Sequence, residues 1–193
     1  MRWCEEFGIG YSTSVWDMTS AREMVALKPY MLKVPSACNL HFEMLEFLAR
    51  DYAGEIHISM GMTTPAEQEE IVTLLERLGV QGRVVLYACT SGYPVPFDQV
   101  CLLEVARLRE LYAHRVNDIG FSGHHLGIAV DVAAVTLGAN WVERHFTLDR
   151  TWKGTDHPAS LEPDGLRKLV RDVRAVAIAL THKPTAILDI EAP

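Results

Sequence analysis

The run "WVERHFTLD", residues 141–149, places a glutamate, an arginine and a histidine inside a segment otherwise built like a buried strand. Side chains on a strand alternate between faces, so Glu143 and His145 point one way and Arg144 the other. A carboxylate beside an imidazole can exchange protons or help hold a cation, whereas Arg144 is placed to tie the strand to a covering helix. A second histidine, His124, follows the preceding strand-like segment in "GFSGHHLG". Neighbouring strands lie about 4.8 Å apart, so the imidazoles of His124 and His145 can reach one ion. Two imidazoles hold an ion weakly, and water and substrate oxygens would complete a catalytic coordination sphere. Ordinary structural readings stand beside these. A lone histidine is commonly a satisfied core or surface residue, and a buried glutamate commonly half of a salt bridge.

Polar residues also gather after other strand-like runs. "LKVPSACN" carries Lys33 and Ser36, "ISMGMTT" carries Ser59 and Gly61, "YACTSGYPVP" carries Ser91 and Tyr93, and "GFSGHHLG" adds Ser122. Any one of these serines serves equally well as a turn residue or helix cap. Several at successive strand ends, with a lysine, describe a pocket.

Positioning such a pocket requires repeated elements. Segments 8–13, 30–34, 55–59, 83–89, 118–122 and 140–146 read as strands, and 18–27, 42–52, 65–78, 97–112, 127–137 and 163–180 as helices. In the last helix, Leu166, Leu169, Val170, Val173 and Ala177 recur at the spacing of one buried face, with Pro163 in the first turn. Strand followed by helix, repeated every 25–30 residues or so, specifies a parallel α/β sheet, open or closed. An open sheet gathers its ligand at one switch point, whereas a (β/α)8 TIM-type barrel draws on all its strand ends. Site chemistry at five strand ends favours the barrel, of which about six βα units are present in this chain. An incomplete arc leaves edges that something else must cover.

Composition bounds the partners. The chain has 193 residues, 49% hydrophobic and 22% charged, as expected of one soluble domain. A net charge of −7 argues against nucleic acid as a partner, though not against a local pocket for a small anion. Cys4, Cys38, Cys89 and Cys101 form no CxxC pair and read as free thiols of a reducing compartment. The most apolar window, 126–142, contains Asp131 and Asn140, and the first ten residues lack a signal-peptide core, so a cytoplasmic protein away from membranes is expected.

Taken in order, "LKVPSACN", "SMGMTTPAEQ", "CTSGYPVP", "GFSGHHLGIAVDVAAVTLGANWVERHFTLD" and "WKGTDHPASLEPDGL" resemble the motifs of the N-acetylneuraminate (sialic acid) synthase family, including legionaminate and pseudaminate synthases. The resemblance runs from "YSTSVWD" to the last helix. It implies a (β/α)8 barrel that condenses phosphoenolpyruvate with an N-acetylated hexose, N-acetylmannosamine or a relative. The product would be a nine-carbon 2-keto sugar acid such as N-acetylneuraminate, with phosphate released. It also implies a divalent metal, Mn2+ or Mg2+, and a homodimer or larger homo-oligomer. By the same resemblance Thr13, Lys33, Ser36, Ser59, Ser91 and Ser122 bind phosphoenolpyruvate, His124 and His145 hold the metal, Glu143 is catalytic, and Tyr93 and Asp156 hold the sugar. A phosphate and a carboxylate together call for a positive charge, hydroxyls and backbone amides at Gly-bearing loops, and these motifs contain all three.

Departures from the family pattern matter too. Where the family has an acidic residue after the serine and a threonine after the histidine, this chain reads Ser122, Gly123, His124, His125. The acceptor for the second nitrogen of His124 is thus unassigned. The first two βα units, with an early glutamate and a further lysine, have no counterpart, and "THKPTAILDIEAP" is too short for the family's C-terminal antifreeze-like domain. Residues 1–181 are therefore expected to form a partial barrel domain and 182–193 a tail. A fragment, a barrel completed by a second chain, and a lost function all remain open. The alternative class is a catalytically incomplete remnant that binds metal or phosphoenolpyruvate, or an assembly partner. A related enzyme making a 3-deoxy sugar acid phosphate is a third reading, and "ERHFTLD" with "GTDH" speaks against it.

Overall fold

Each strand-like run pairs with the next along the chain. In the computed structural model, which describes residues 1–191, β1 (Ser12–Ser14), β2 (Met31–Val34), β3 (Glu55–Ser59), β4 (Val84–Cys89), β5 (Asp118–Gly123) and β6 (Trp141–Arg144) form one parallel sheet in that order. Parallel neighbours need crossover connections. These run through α2 (Met18–Leu27), α3 (Phe42–Asp51), α4 (Pro65–Arg77), α5 (Glu104–Tyr112) and α6 (Ala129–Thr136), while α7 (Pro163–Ala179) follows β6 and a short α1 (Arg2–Glu6) precedes β1.

The sheet curls. Lys33 on β2 and Glu143 on β6 form an ion pair at 3.1 Å. Four inter-strand steps separate their strands, about 19 Å in a flat sheet, further than the two side chains together could span. Six strands therefore bend into an arc of a (β/α)8-type barrel. Among the described residues β1 and β6 each pair on one side only.

Alternation along the strands separates two environments. Leu32, Val34, Ile56, Ile58, Val84, Leu86 and Ile119 are fully buried against the helices, in one core with Leu45, Leu48, Ile71 and Leu75. The opposite face turns inward and is polar. Lys33 aligns with His57, Ser59 with Tyr87, and Cys89 with Ser122, which in turn aligns with Glu143. Below the site, the fully buried His57 is satisfied by the Tyr87 hydroxyl at 2.8 Å and Glu55 at 3.2 Å.

Element boundaries depart from expectation where backbone conformation intervenes. The first strand shortens to Ser12–Ser14: α1 ends at Glu6, Gly8 in the following turn adopts φ +63°, and residues 9–11 lie outside the ladder. The helix expected over 97–112 begins only at Glu104. A 3-10 turn, Phe97–Gln99, and left-handed Cys101 at φ +51° stand before it. The sixth strand ends at Arg144, and Phe146 makes an isolated bridge to Leu161. In the expected tail, Lys183 pairs with Glu191 at 2.7 Å, and positions 192 and 193 lie outside the described residues. Among the described residues no helix is long and apolar enough to cross a membrane, and all four cysteines are free thiols.

Helix α4 shows how local sequence fixes an element. Thr64 caps it by accepting from the Glu67 amide at 3.3 Å, Glu67 accepts from the Thr64 amide at 2.7 Å, and Pro65 sits in the first turn. Thr64→Ala is expected to cost about 1 kcal/mol, read as a lowered urea midpoint at unchanged slope.

Candidate active site

At the C-terminal ends of the strands lies a cavity of about 390 Å³. Its floor is a chain of polar contacts: Lys33 donates to Ser59 Oγ at 2.6 Å and to Glu143 Oε1 at 3.1 Å, and Ser122 donates to the same carboxylate oxygen at 2.8 Å. Burial raises the proton affinity of the Glu143 carboxyl, but the Lys33 charge and the hydrogen bonds from Ser122 and Lys33 outweigh it and hold the group below its ordinary range. Glu143 is thus a carboxylate at neutral pH. Lys33 is almost wholly enclosed, whereas the Glu143 side chain is 37% exposed, so the pair opens toward the cavity.

The two histidines form the opposite wall. His124 and His145 have ring centroids 5.2 Å apart, and Tyr93 sets its ring edge-on to both, at 4.5 Å and 5.6 Å. Burial depresses the affinity of both imidazoles for a proton, and His145 is further depressed by its neighbour His124. Neutral rings offer lone pairs. His124 Nδ1 lies 3.0 Å from the Thr90 carbonyl oxygen, which can only accept, so Nδ1 carries the proton and Nε2 is left to ligate. A backbone carbonyl thereby supplies the acceptor that no residue of "SGHH" provides. His145, just past β6 rather than within it, is held by the Leu161 amide donating to its carbonyl at 2.8 Å, and its Nδ1 lies 3.7 Å from Asp156. Among the described residues no third histidine, cysteine, aspartate or glutamate joins them in a metal-binding group. Two neutral imidazoles with one ring locked by a carbonyl fit a catalytic ion that keeps open positions for water and substrate.

Most of the residues picked from sequence meet here. Lys33, Ser36, Ser59, Tyr93, Ser122, His124, Glu143, His145 and Asp156 all line the cavity. Thr13 is not among the residues lining the cavity. It pairs with the core residue Leu32, whereas Ser14 pairs with Lys33 and lines the cavity in its place. A one-residue slip in a short strand exchanges the two faces. Ser91 lies beside the cavity wall at Gly61, where an added Cβ would stand 2.6 Å from Ser36 Oγ and 2.9 Å from Ser91 Oγ. A side chain at that position would push both hydroxyls aside. Trp16, Cys89 and Thr155 line the site without having been singled out from sequence. Buried Asn39, at the end of "SACN", donates to the carbonyls of Ser59 and Gly61 at 2.9 Å each and so fixes the loop after β3. Its place beside Ser36 was the signal. Arg144 reaches out of the barrel to Asp131 on α6 at 2.6 Å, as its strand face required.

Relatives carry the same arrangement of sequence over most of this chain. It is 37% identical to N-acetylneuraminate-9-phosphate synthase of Homo sapiens over 98% of its length, and 34% identical to N,N'-diacetyllegionaminic acid synthase of Campylobacter jejuni over 89%. These matches cover 52% and 51% of those proteins, so the chain spans about half the length of the curated relatives it matches. The crystal structure of the N-acetylneuraminic acid synthetase of Leptospira borgpetersenii, 26% identical, superposes with a TM-score of 0.87 over 97% of this chain and 64% of that one. A family model described as the NeuB family matches residues 1–185, and by that match, with the fold and the relatives in agreement, this chain belongs to the NeuB family.

Proposed function

We propose that this chain carries the site of a phosphoenolpyruvate-dependent synthase, which joins phosphoenolpyruvate to an N-acetylated hexose to give a nine-carbon 2-keto sugar acid and phosphate. The observation that supports this best is the convergence of Lys33, Glu143, His124 and His145 on one cavity. An anion-binding cation, a carboxylate and two neutral imidazoles are the groups such a condensation needs.

In this reading Lys33, with Ser36, Ser59 and Ser122, holds the anionic groups of phosphoenolpyruvate, and Ser91 supports them from behind Gly61. Ser14 takes the place expected of Thr13. Tyr93 and Asp156 orient the open-chain hexose so that its aldehyde faces the enol carbon. His124 and His145 would hold Mn2+ or Mg2+, which when bound polarises the aldehyde oxygen. The new carbon–carbon bond forms between the enol carbon and the aldehyde carbon, water adds to the cationic carbon left behind, and phosphate departs with cleavage of its C–O bond. Glu143, ionised and hydrogen-bonded at the floor, is placed to orient that water and take its proton. Family likeness also supports a homo-oligomer in the cytoplasm, testable by sedimentation of the purified chain and by cell fractionation.

The test is phosphate release from phosphoenolpyruvate with Mn2+ and a panel of N-acetyl hexoses, with product mass measured and 18O placed in the bridging oxygen. Release with the label in the phosphate is expected, and Glu143→Gln is expected to lower turnover about 10²- to 10⁴-fold. Binding of both ligands without release would instead favour a chain that has kept the pocket but needs further strands, a reading to which the one-sided pairing of β1 and β6 among the described residues lends weight.

A further inference from the structure

Outside the cavity, the interior of the fold holds a cluster of buried charge that the proposed chemistry does not use. The Arg144 side chain is 3% exposed and Asp131, its partner at 2.6 Å, is wholly buried. His125, also wholly buried, sets its Nε2 3.3 Å from the Asp131 carboxylate and 3.2 Å from the Arg144 guanidinium. No side chain fits beside them, because a Cβ on Gly123 would stand 2.8 Å from the Phe121 ring, 2.9 Å from the His125 ring and 3.1 Å from Asp131. Burying an ion pair this deeply yields little net stability by itself. Its geometry suggests another use.

The guanidinium grips three backbone carbonyls. Nη2 donates to His125 O at 2.7 Å and to Ala159 O at 3.3 Å, and Nη1 to Gly127 O at 2.8 Å. His125 immediately follows His124. Ala159 closes the 3-10 turn His157–Ala159 that begins right after Asp156, and Ser160 Oγ donates back to the Asp156 carbonyl at 2.8 Å. Arg144 itself lies between Glu143 and His145. One planar fork therefore joins the segment that bears Glu143 and His145, the end of β6 and the residue after it, to the two loops that bear His124 and Asp156.

We propose that Arg144, braced by Asp131, is a positioning residue. It fixes the metal-binding and sugar-binding side of the cavity, His124 and Asp156 relative to His145, and leaves the Lys33 side alone. This rests on the function proposed above for what the site binds, but not for the clamp itself. Arg144 shares no hydrogen bond with Lys33, Ser36 or Ser59: Lys33 donates to Ser59 Oγ, the Ser59 carbonyl accepts from Asn39, and Ser36 donates to Cys89 Sγ at 3.6 Å. The two halves of the site should therefore separate on substitution. Lysine cannot replace the fork, since one ammonium cannot reach carbonyls on two loops at once.

The test uses the full chain and three variants. Arg144→Lys keeps the charge, Arg144→Met removes it, and Arg144→Met with Asp131→Leu removes both charges so that no unpaired carboxylate is buried and the fold survives. Amide hydrogen exchange followed by mass spectrometry is expected to accelerate about tenfold or more in peptides covering 124–128 and 156–160, with peptides from β2 and β3 unchanged. Mn2+ affinity is expected to fall about tenfold or more in both methionine variants, with partial recovery in Arg144→Lys, while phosphoenolpyruvate affinity stays within about twofold. Equal loss of both affinities, or exchange indistinguishable from wild type in those two segments, would overturn the proposal. A wild-type chain that takes no Mn2+ refutes the function proposed above, and the exchange comparison then decides the clamp alone.

Discussion

Lys33→Met is expected to weaken phosphoenolpyruvate binding about 100- to 1,000-fold and to bring phosphate release to background. Among the described residues no other lysine or arginine lines the cavity, so this ammonium faces the ligand's phosphate and carboxylate alone. Charge-assisted hydrogen bonds contribute about 1.5–3 kcal/mol each, and about 1.4 kcal/mol is a factor of ten in affinity. Losing two of them, each near the lower end of that range, accounts for the expected loss. The substitution also strands the Glu143 carboxylate with Ser122 as its one remaining donor. Because that side chain is partly open to the cavity, the stability cost should be about 1–3 kcal/mol, less than for a fully buried pair. Adding Glu143→Gln to Lys33→Met separates the two effects, since it should restore stability in urea without restoring binding. Calorimetric titration with phosphoenolpyruvate is the measurement. An affinity within about fivefold of wild type in Lys33→Met would refute the role of Lys33, and with it the orientation of the ligand in the cavity.

His124→Ala and His145→Ala are each expected to weaken Mn2+ binding about 100-fold or more, and the double substitution to abolish it. Removing an outer group that merely orients a ligand typically costs 10- to 100-fold, and removing the ligand itself costs at least as much. The two rings stand 5.2 Å apart, and among the described residues no third histidine, cysteine, aspartate or glutamate completes a metal-binding group with them, so neither loss can be made up locally. His114→Ala, on an exposed surface, should leave affinity within about twofold and control for loss of a histidine as such. Free Mn2+ counted by electron paramagnetic resonance reads the outcome directly. Unchanged affinity in both single variants would mean that the imidazoles pack against Tyr93 and bind nothing.

Much of this arrangement could be read before any coordinates. Runs such as 55–59 and 118–122 declare themselves as buried strands through Ile and Phe, Pro163 with the spacing of Leu166, Leu169 and Val173 declares the last helix, and alternation in "WVERHF" separates Glu143 and His145 from Arg144. Those signals are local, because neighbours along the chain set strand and helix faces. Parallel βα units then oblige the strand ends to converge, which is why Lys33, Ser36, Ser59 and Ser122 could be grouped without knowing any distance.

What the residue pattern left open was decided by curvature and register. Lys33 meets Glu143 across 110 residues because the sheet bends by a particular amount, a global quantity that no local run encodes. The choice of Ser14 over Thr13 turned on one residue of register in a three-residue strand, too short for alternation to fix. The acceptor for His124 proved to be the Thr90 backbone, and a main-chain carbonyl looks the same at every position of a sequence. Identity and alternation thus determined which groups face inward; only the tertiary fold decided which of them touch, because contact depends on distances set by the packing of the whole arc.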